Sequence, residues 1–201
     1  MEETPKQQKL DYLAHRVSES EAGKLYNSAH ELVFGTGNPD ADLMVVGDAP
    51  GPEEGQAGEP FMGPAGQLLD KILFKCGMMR DQVYMTDLVK RPPPESRAPT
   101  PAEVELFAPY LYAQIRIVEP KALLALGRLA GNFLAEFPDA PVGALREDRE
   151  LRFVHDRLGI DLPLVVTYHP SYVLKQLQFG PATLGVTARD VKRAVKLSKG
   201  S

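Results

Sequence analysis

The stretch 42-DLMVVGDAPG-51 decides the fold class. Its first half, from Leu43 to Val46, is a continuous apolar run of strand length, which is typical of a strand buried on both faces of a sheet. Its second half leaves the strand through a turn that contains glycine and proline and carries the carboxylate of Asp48. Ligands bind beyond the carboxyl ends of strands in open parallel sheets, so this stretch predicts both a core strand and one side of a site.

The same alternation of strand and helix patterns extends outward from this stretch. Further strands are predicted over 82–86, 121–126 and 162–168, and helices over 66–76, 100–118, 127–137 and 187–197. Thr100 and Glu103 form a capping box that opens the second of these helices. Strands separated by helices form right-handed crossovers. The sequence therefore predicts an α/β fold in three layers, α/β/α, with a central four-stranded parallel sheet.

The composition is that of a soluble globular protein. The 201 residues are 43% hydrophobic and 25% charged, and the net charge is −4. We expect a polar, helical lead-in over 1–30 that packs on the domain, one α/β domain over 31–197 and a tail over 198–201. No apolar run is long enough to span a bilayer, and no signal peptide is visible. Because there is one cysteine, an intrachain disulfide and a multi-cysteine metal site are excluded.

Acid and imidazole groups follow three of the four predicted strands. Asp48, Asp87 and His169 each stand at a strand end, so we expect them at one edge of the sheet. The loop over 47–63 contains five glycines but lacks the lysine of a phosphate-binding loop. Phe61 in this loop either anchors it to the core or forms a stacking platform for a planar ligand. A Ser-His-Asp triad is poorly supported, because no Gly-x-Ser-x-Gly elbow occurs.

Four stretches together carry a family resemblance. They read FGTGNPDADLMVVGDAPG (34–51), GEPFMGPAGQLLDKIL (58–73), VYMTDLVKRPPPESRAPTPAE (83–103) and YHPSYVLK (168–175). The chain resembles the uracil-DNA glycosylase superfamily over about residues 20–196, nearest the family that normally holds an iron–sulfur cluster. The resemblance implies a monofunctional DNA glycosylase of base excision repair. Such an enzyme flips uracil, or a related deaminated base, out of DNA and hydrolyses its N-glycosidic bond.

The resemblance also implies roles for individual residues. Asp48 and His169 are the catalytic pair: the first stabilises the sugar cation and activates water, and the second donates a hydrogen bond to the base. Phe61 stacks on the extruded base, and Asp87 stands where the family has a base-reading asparagine. Glu54 is a rival to Asp48 for the activation of water. The remaining substrate-binding positions are Ala49, Gly51 and Ser171.

The expected partner is DNA that contains uracil or another damaged base. By resemblance, the wedge that enters the duplex is formed by Tyr172, Val173 and Leu174. The expected phosphate contacts are Lys90, Arg91, Arg97 and Lys175. We expect a monomer in the cytoplasm, associated with the nucleoid, that binds no membrane.

The chain departs from the family pattern at the cluster. The four cysteine positions are occupied here by Ser20, Gly23, Arg91 and Phe107. A cluster needs thiolate ligands, so we expect no iron–sulfur cluster and no other cofactor. Packing around Phe107, Leu25 and Tyr26 is expected to replace it.

Two further departures lie in the site. Asp48 replaces the usual glutamate, which shortens the reach of the carboxylate, and Asp87 replaces asparagine. An ionised aspartate only accepts hydrogen bonds, whereas an amide both donates and accepts. Altered base specificity is therefore one alternative. A second is a non-catalytic module that binds DNA or senses lesions, and a third is a nucleotide-binding α/β protein unrelated to DNA.

Overall fold

The computed structural model describes residues 4–27, 30–148 and 150–200. Its helices are α1 Pro5–Glu19, α2 Pro52–Ala57, α3 Pro64–Lys75, α4 Pro101–Val118, α5 Arg128–Ala135, α6 Val142–Glu147, α7 Pro170–Gln176 and α8 Ala182–Ser198. Its strands are β1 Thr36–Gly37, β2 Leu43–Gly47, β3 Tyr84–Asp87, β4 Ala122–Leu126, β5 Arg152–His155 and β6 Ile160–Thr167. None of the helices in these ranges has both the length and the apolar character needed to cross a membrane.

The sheet has six strands in the order β1-β3-β2-β4-β6-β5. The four central strands pair in parallel, which confirms the predicted parallel sheet. β1 and β5 add an antiparallel strand at each edge, and neither was predicted. β1 is two residues long and β5 has one buried residue, Phe153, so neither shows the continuous apolar run that marks the central strands.

Hydrophobic residues fill both faces of the sheet. Along β2, Met44 and Val46 join the core beneath α4 and α5, whereas Leu43 and Val45 join the core beneath α3 and α8. All five residues of β2 are buried. The apolar run therefore lacks alternation because each face of this strand meets a helical layer, and the three-layer arrangement is confirmed.

Local sequence signals set where several elements begin. Thr100 and Glu103 cap α4 reciprocally, with the Thr100 amide 2.7 Å from the Glu103 carboxylate. His169 precedes Pro170, the first residue of α7, and accepts the Ser171 amide as the helix cap. This short helix was not predicted, although proline at the first helical position is a recognised signal for one. It begins three residues after β6, and its Ser171 amide fixes the direction of the His169 ring.

Candidate active site

The carboxyl ends of the central strands open into one cavity of about 650 Å³. Asp48, Phe61, Asp87 and His169 all line it. The volume lies within the range of about 300–1,000 Å³ that is usual for ligand pockets. Polar groups expected at the sheet edge from their positions after strands therefore do meet in space.

Asp48 follows β2 and faces the N-terminus of α5. Its Oδ1 atom accepts the amide of Ala130 at 2.7 Å. Gly127, whose φ is +104°, makes room for the carboxylate, because a Cβ atom there would lie 2.9 Å from Asp48 Oδ2. Burial raises the pKa of Asp48 to about 6, against the opposing effect of the α5 amides. At neutral pH the group is an ionised carboxylate that readily takes up a proton.

His169 presents a neutral imidazole to the same cavity. Its Nδ1 atom accepts the Ser171 amide at 3.2 Å and lies 2.8 Å from the Ser171 hydroxyl. Burial lowers the pKa of His169 to about 4, although the charge of Glu54 acts in the opposite direction. Because Nδ1 is an acceptor, the single proton of the neutral ring is on Nε2. The ring therefore has a hydrogen-bond donor at Nε2.

Asp87 ends β3 and is 2% exposed. Gly47 on the neighbouring strand makes room for its side chain, because a Cβ atom there would lie 2.2 Å from Asp87 Oδ1 and 2.8 Å from Phe61 Cζ. Burial raises the pKa of Asp87, and the negative charges of Asp48 and Glu54 act in the same direction. The positive charge of Lys90 opposes them. Burial thus favours a protonated carboxyl group at this position.

Lys90 is fully buried, so the prediction that it contacts a DNA phosphate is wrong. Its Nζ atom donates to Thr86 Oγ1 at 2.6 Å, to the Asp87 carbonyl at 2.6 Å and to Gln114 Oε1 at 2.7 Å. Burial lowers the pKa of Lys90, and the nearby Asp87 carboxyl opposes this shift. Lys90 therefore stabilises the end of β3 that carries Asp87.

Glu54 organises the loop that borders the cavity. Its Oε2 atom accepts the Gly51 amide at 3.0 Å, and its Oε1 atom accepts the amides of Met62 at 3.0 Å and Gly63 at 2.9 Å. Three charge-assisted hydrogen bonds make this carboxylate the link between α2 and the turn before α3. Glu54 lines the cavity as expected, and its carboxylate oxygens accept backbone amides. Which of Glu54 and Asp48 activates water stays a prediction.

The Phe61 ring is both an anchor and a cavity wall. It is 6% exposed and packs in the core with the α3 side chains Leu69 and Leu73. Its ring centroid lies 6.3 Å from that of His169, and the ring lines the cavity. Phe61 therefore anchors the loop to the core and also borders the cavity, whereas its stacking on a planar ligand stays a prediction.

The other expected substrate-binding residues, Ala49, Gly51 and Ser171, also line the cavity. Arg97 lines it as well, but its guanidinium makes two hydrogen bonds to Glu103, at 2.9 and 2.6 Å. Lys175 is exposed on α7. These positions place the expected phosphate contacts Arg97 and Lys175 at or near the surface, with Arg97 already paired.

The expected wedge is only partly exposed. Val173 is fully buried in α7, so its assignment to the wedge is wrong: a residue in the core cannot enter a duplex. Tyr172 is 45% exposed and its ring lies 5.4 Å from that of Tyr168. Leu174 is half-buried. The helical periodicity of α7, which turns every third or fourth residue inward, accounts for this division.

The residues at the family's cluster positions do not fit an iron–sulfur cluster. Arg91 donates to the Gly23 carbonyl at 2.7 Å and also to the His30 carbonyl, and Gly23 donates to Ser20 Oγ at 3.1 Å. Phe107 is fully buried. A guanidinium, a hydroxyl, a glycine and a phenyl ring supply no thiolate. Arg91 was expected to contact phosphate, but its guanidinium instead ties the N-terminal segment to the domain.

The only cysteine of the chain lies elsewhere. Cys76 packs on the α3 and α8 face of the sheet, with its Sγ atom 3.5 Å from the Ala188 carbonyl, whereas Phe107 lies on the opposite face. Leu25 and Tyr26 pack against the same core as Phe107. Hydrophobic packing and the Arg91 hydrogen bonds therefore hold the region where the family has its metal centre.

Sequence reasoning missed two supports of the site. Gly127 admits the Asp48 carboxylate, and its signal was its position directly after a predicted strand. Gln114 bonds Lys90 and donates to the Phe34 carbonyl at 2.9 Å. Its signal was a polar residue among apolar ones on the inner face of α4. Neither residue touches the cavity, so neither belongs to a motif with obvious chemistry.

An ionisable carboxylate and an imidazole donor that share a cavity with an aromatic ring form an enzyme site suited to a planar ligand. Comparison with known proteins defines the class further. A family model described as the uracil DNA glycosylase superfamily matches residues 34–192. The chain therefore belongs to the uracil DNA glycosylase superfamily and is a DNA N-glycosylase.

Several named proteins are similar over most of their length. The type-4 uracil-DNA glycosylase of Archaeoglobus fulgidus is 34% identical over 169 residues, which are 84% of this chain and 85% of that protein. The type-4 uracil-DNA glycosylase of Thermotoga maritima is 35% identical over 83% of both chains. The type-5 uracil-DNA glycosylase of Pyrobaculum aerophilum is 32% identical over 79% of this chain and 73% of its own.

Proposed function

We propose that the protein releases uracil from DNA by hydrolysis of the N-glycosidic bond. The observation that carries the proposal is the convergence of Asp48, Phe61, Asp87 and His169 on one cavity. Family membership and the names of the similar proteins support uracil as the base. Side chains of this protein carry out each step of the reaction, and no step requires a metal or an organic cofactor.

The base enters the cavity after leaving the duplex. The anomeric carbon is hidden inside stacked DNA, so the nucleotide has to rotate outward before Asp48 can approach it. Phe61 then stacks against the base. Tyr172, exposed on α7, and the half-buried Leu174 would contact the duplex beside the flipped nucleotide. The positive charge of Lys175 on the same helix would contact a phosphate.

Bond cleavage separates charge, and the site has a group for each sign. As the C1′–N1 bond breaks, its electron pair goes to the base and the sugar becomes cationic. The Asp48 carboxylate stabilises that cation and takes a proton from the water whose oxygen bonds to C1′. His169, neutral with its proton on Nε2, donates a hydrogen bond to uracil O2, where negative charge accumulates. The free base anion then takes a proton from solvent.

Asp87 reads the base in its protonated form. A neutral carboxyl group donates through its hydroxyl to uracil O4 and accepts N3–H through its carbonyl, the same pattern that an amide offers. Burial and the charges of Asp48 and Glu54 favour this form. An ionised Asp87 would face O4 with like polarity, a mismatch of about 1–3 kcal/mol when buried.

The charge of Lys90 beside Asp87 supports a second class of base as the substrate. Its positive charge opposes protonation of Asp87, and an ionised Asp87 would prefer a base with an exocyclic amine. Base release from oligonucleotides that each contain one uracil, cytosine, hypoxanthine or xanthine separates the two. If uracil is the substrate, both the wild type and Asp87→Asn should release uracil faster than the other three bases. A shift from an amine-bearing base to uracil in Asp87→Asn would support the second candidate.

The catalytic assignments are tested by matched substitutions. Single-turnover release of uracil should fall at least a hundredfold in Asp48→Asn and about a hundredfold in His169→Gln, within the range for loss of a catalytic acid, base or charge-stabilising donor. The controls are Asp42→Asn, at the opposite end of β2, and His15→Gln on α1, both exposed. Equal rates in all five proteins would refute the assignments, and DNA binding without release in the wild type would favour a lesion-sensing module.

The remaining parts of the proposal concern the context of the reaction. Uracil release leaves an abasic site, the intermediate of base excision repair. We propose that the protein acts there as a monomer in the cytoplasm, at the nucleoid. Sedimentation with and without uracil DNA tests the monomer, since a mass near 22.1 kDa is expected for the free chain.

A further inference from the structure

The turn that presents Phe61 has an unusual backbone. Phe61 has a φ of +56°, in the left-handed region that non-glycine residues rarely adopt. Such a conformation persists only where the surroundings hold it from several sides. Glu54 holds the two amides that follow Phe61, as described above. A second group holds the carbonyls on its other side.

That second group is the guanidinium of Arg80. Its Nη2 atom donates to the Pro60 carbonyl at 2.6 Å, and its Nη1 atom donates to the Phe61 carbonyl at 3.2 Å. Asp70 Oδ1 on α3 lies 3.2 Å from Arg80 Nη1 and fixes the orientation of the guanidinium. A planar guanidinium can bond two adjacent carbonyls and a carboxylate at once, which a lysine ammonium does less well.

Helix α3 closes the same turn from below. A Cβ atom on Gly66 would lie 1.7 Å from the Phe61 carbonyl oxygen, so the helix backbone touches the turn directly. The Phe61 carbonyl therefore lies between α3 and the Arg80 guanidinium. Arg80 itself begins the single helical turn Arg80–Gln82, which leads into β3 and so to Asp87.

We propose that Arg80 is a positioning residue that holds the Phe61 ring at the wall of the cavity. It ties the carbonyls of the stacking turn to the segment that carries Asp87, so the stacking ring and the base-reading carboxyl group keep a constant spacing. Arg80 does not line the cavity and acts through Phe61. This inference rests on the proposed function, in which Phe61 stacks on the base.

A double-mutant cycle tests the coupling. Arg80→Gln should lower kcat/KM for uracil release about tenfold, because a displaced binding group costs one to two orders of magnitude. It should raise the inhibition constant of free uracil by a similar factor. In a Phe61→Ala background the same change should have less than a twofold effect. Lys71→Gln, exposed on α3, is the matched control, and Arg80→Lys should restore part of the loss.

Equal effects of Arg80→Gln in both backgrounds would overturn the proposal, because a purely structural role would not depend on the Phe61 ring. If Arg80→Gln does not fold, Asp70→Asn replaces it. That variant keeps the guanidinium but frees one end of it, and it should give a smaller effect of the same sign, with the same dependence on Phe61.

Hydrogen exchange separates this inference from the proposed function. If the wild type releases no base, the proposed function fails, but the effect of Arg80 on the turn at Phe61 can still be measured. The amides of Met62 and Gly63 should exchange at least tenfold faster in Arg80→Gln than in the wild type or in Lys71→Gln. Unchanged exchange at these amides would refute a positioning role for Arg80 whatever the substrate.

Discussion

Replacement of Asp48 by asparagine should make the protein more stable and inactive at the same time. Burial raises the pKa of this carboxyl group from 3.8 to about 6, so the folded protein binds the proton more tightly than the unfolded chain does. The stability that this proton contributes is fully present below about pH 4 and is lost as the pH rises through about 6. An asparagine keeps an oxygen to accept the Ala130 amide and carries no charge.

The magnitude follows from the size of the shift. A change from 3.8 to about 6 corresponds, at about 1.36 kcal/mol per pKa unit, to about 3 kcal/mol. Asp48→Asn should therefore raise the free energy of unfolding by up to about 3 kcal/mol at pH 8 and by close to zero at pH 3.5. For a chain of this length, 1 kcal/mol moves the melting temperature by about 2–4 °C. Base release should be lost, because an amide cannot take a proton from water.

Urea unfolding at intervals between pH 3.5 and 8 measures this effect. Asp42→Asn is the control, because its exposed pair with Lys121 contributes little at any pH. Glu54→Gln should have the opposite sign, a loss of about 1.5–3 kcal/mol, because it replaces a carboxylate that accepts three amides. If the gain in Asp48→Asn is absent at pH 8, or is the same at every pH, a buried charge is not its cause.

Three further outcomes are expected. Single-turnover base release should rise with pH through a midpoint near 6 from Asp48, with no limb above pH 5 from His169, whose pKa burial lowers to about 4. The rate for uracil should fall again at more alkaline pH, because Asp87, whose pKa burial raises, then loses the proton with which it reads the base. A flat profile between pH 5 and 8 would contradict the Asp48 midpoint. Gly47→Ala should cost about 1–3 kcal/mol of stability and at least a hundredfold in rate, since its Cβ atom would lie 2.8 Å from the Phe61 ring, and unaltered kinetics would count against that contact. Arg91→Met should lower the free energy of unfolding by about 1.5–3 kcal/mol and leave the rate of base release at 25 °C nearly unchanged. An unchanged melting temperature would mean that the Arg91 hydrogen bonds do not stabilise the N-terminal segment.

Residues of one type in similar local sequence can have very different roles, and two lysines show why the sequence does not reveal them. Lys90 follows Leu88 and Val89, Lys175 follows Val173 and Leu174, and both lysines were expected to contact phosphate. Lys175 is exposed, whereas Lys90 is fully buried. The difference depends on Gln114, 24 residues further along the chain, whose amide oxygen accepts from Lys90 Nζ. A local pattern cannot show which distant side chain will cover a charge.

The order of the four central strands and of the helices α3, α4, α5 and α8 could be predicted from the sequence alone, and so could the placement of Asp48, Asp87 and His169 at strand ends. Both depend on local hydrophobic periodicity and on the rule that parallel strands open at one edge. Only the tertiary structure decided which of these carboxyl groups are buried away from solvent, which positive charges reach the surface and what holds Phe61 in place. These outcomes depend on contacts between segments far apart in the chain, because burial and hydrogen-bond geometry are set by the packing of whole elements.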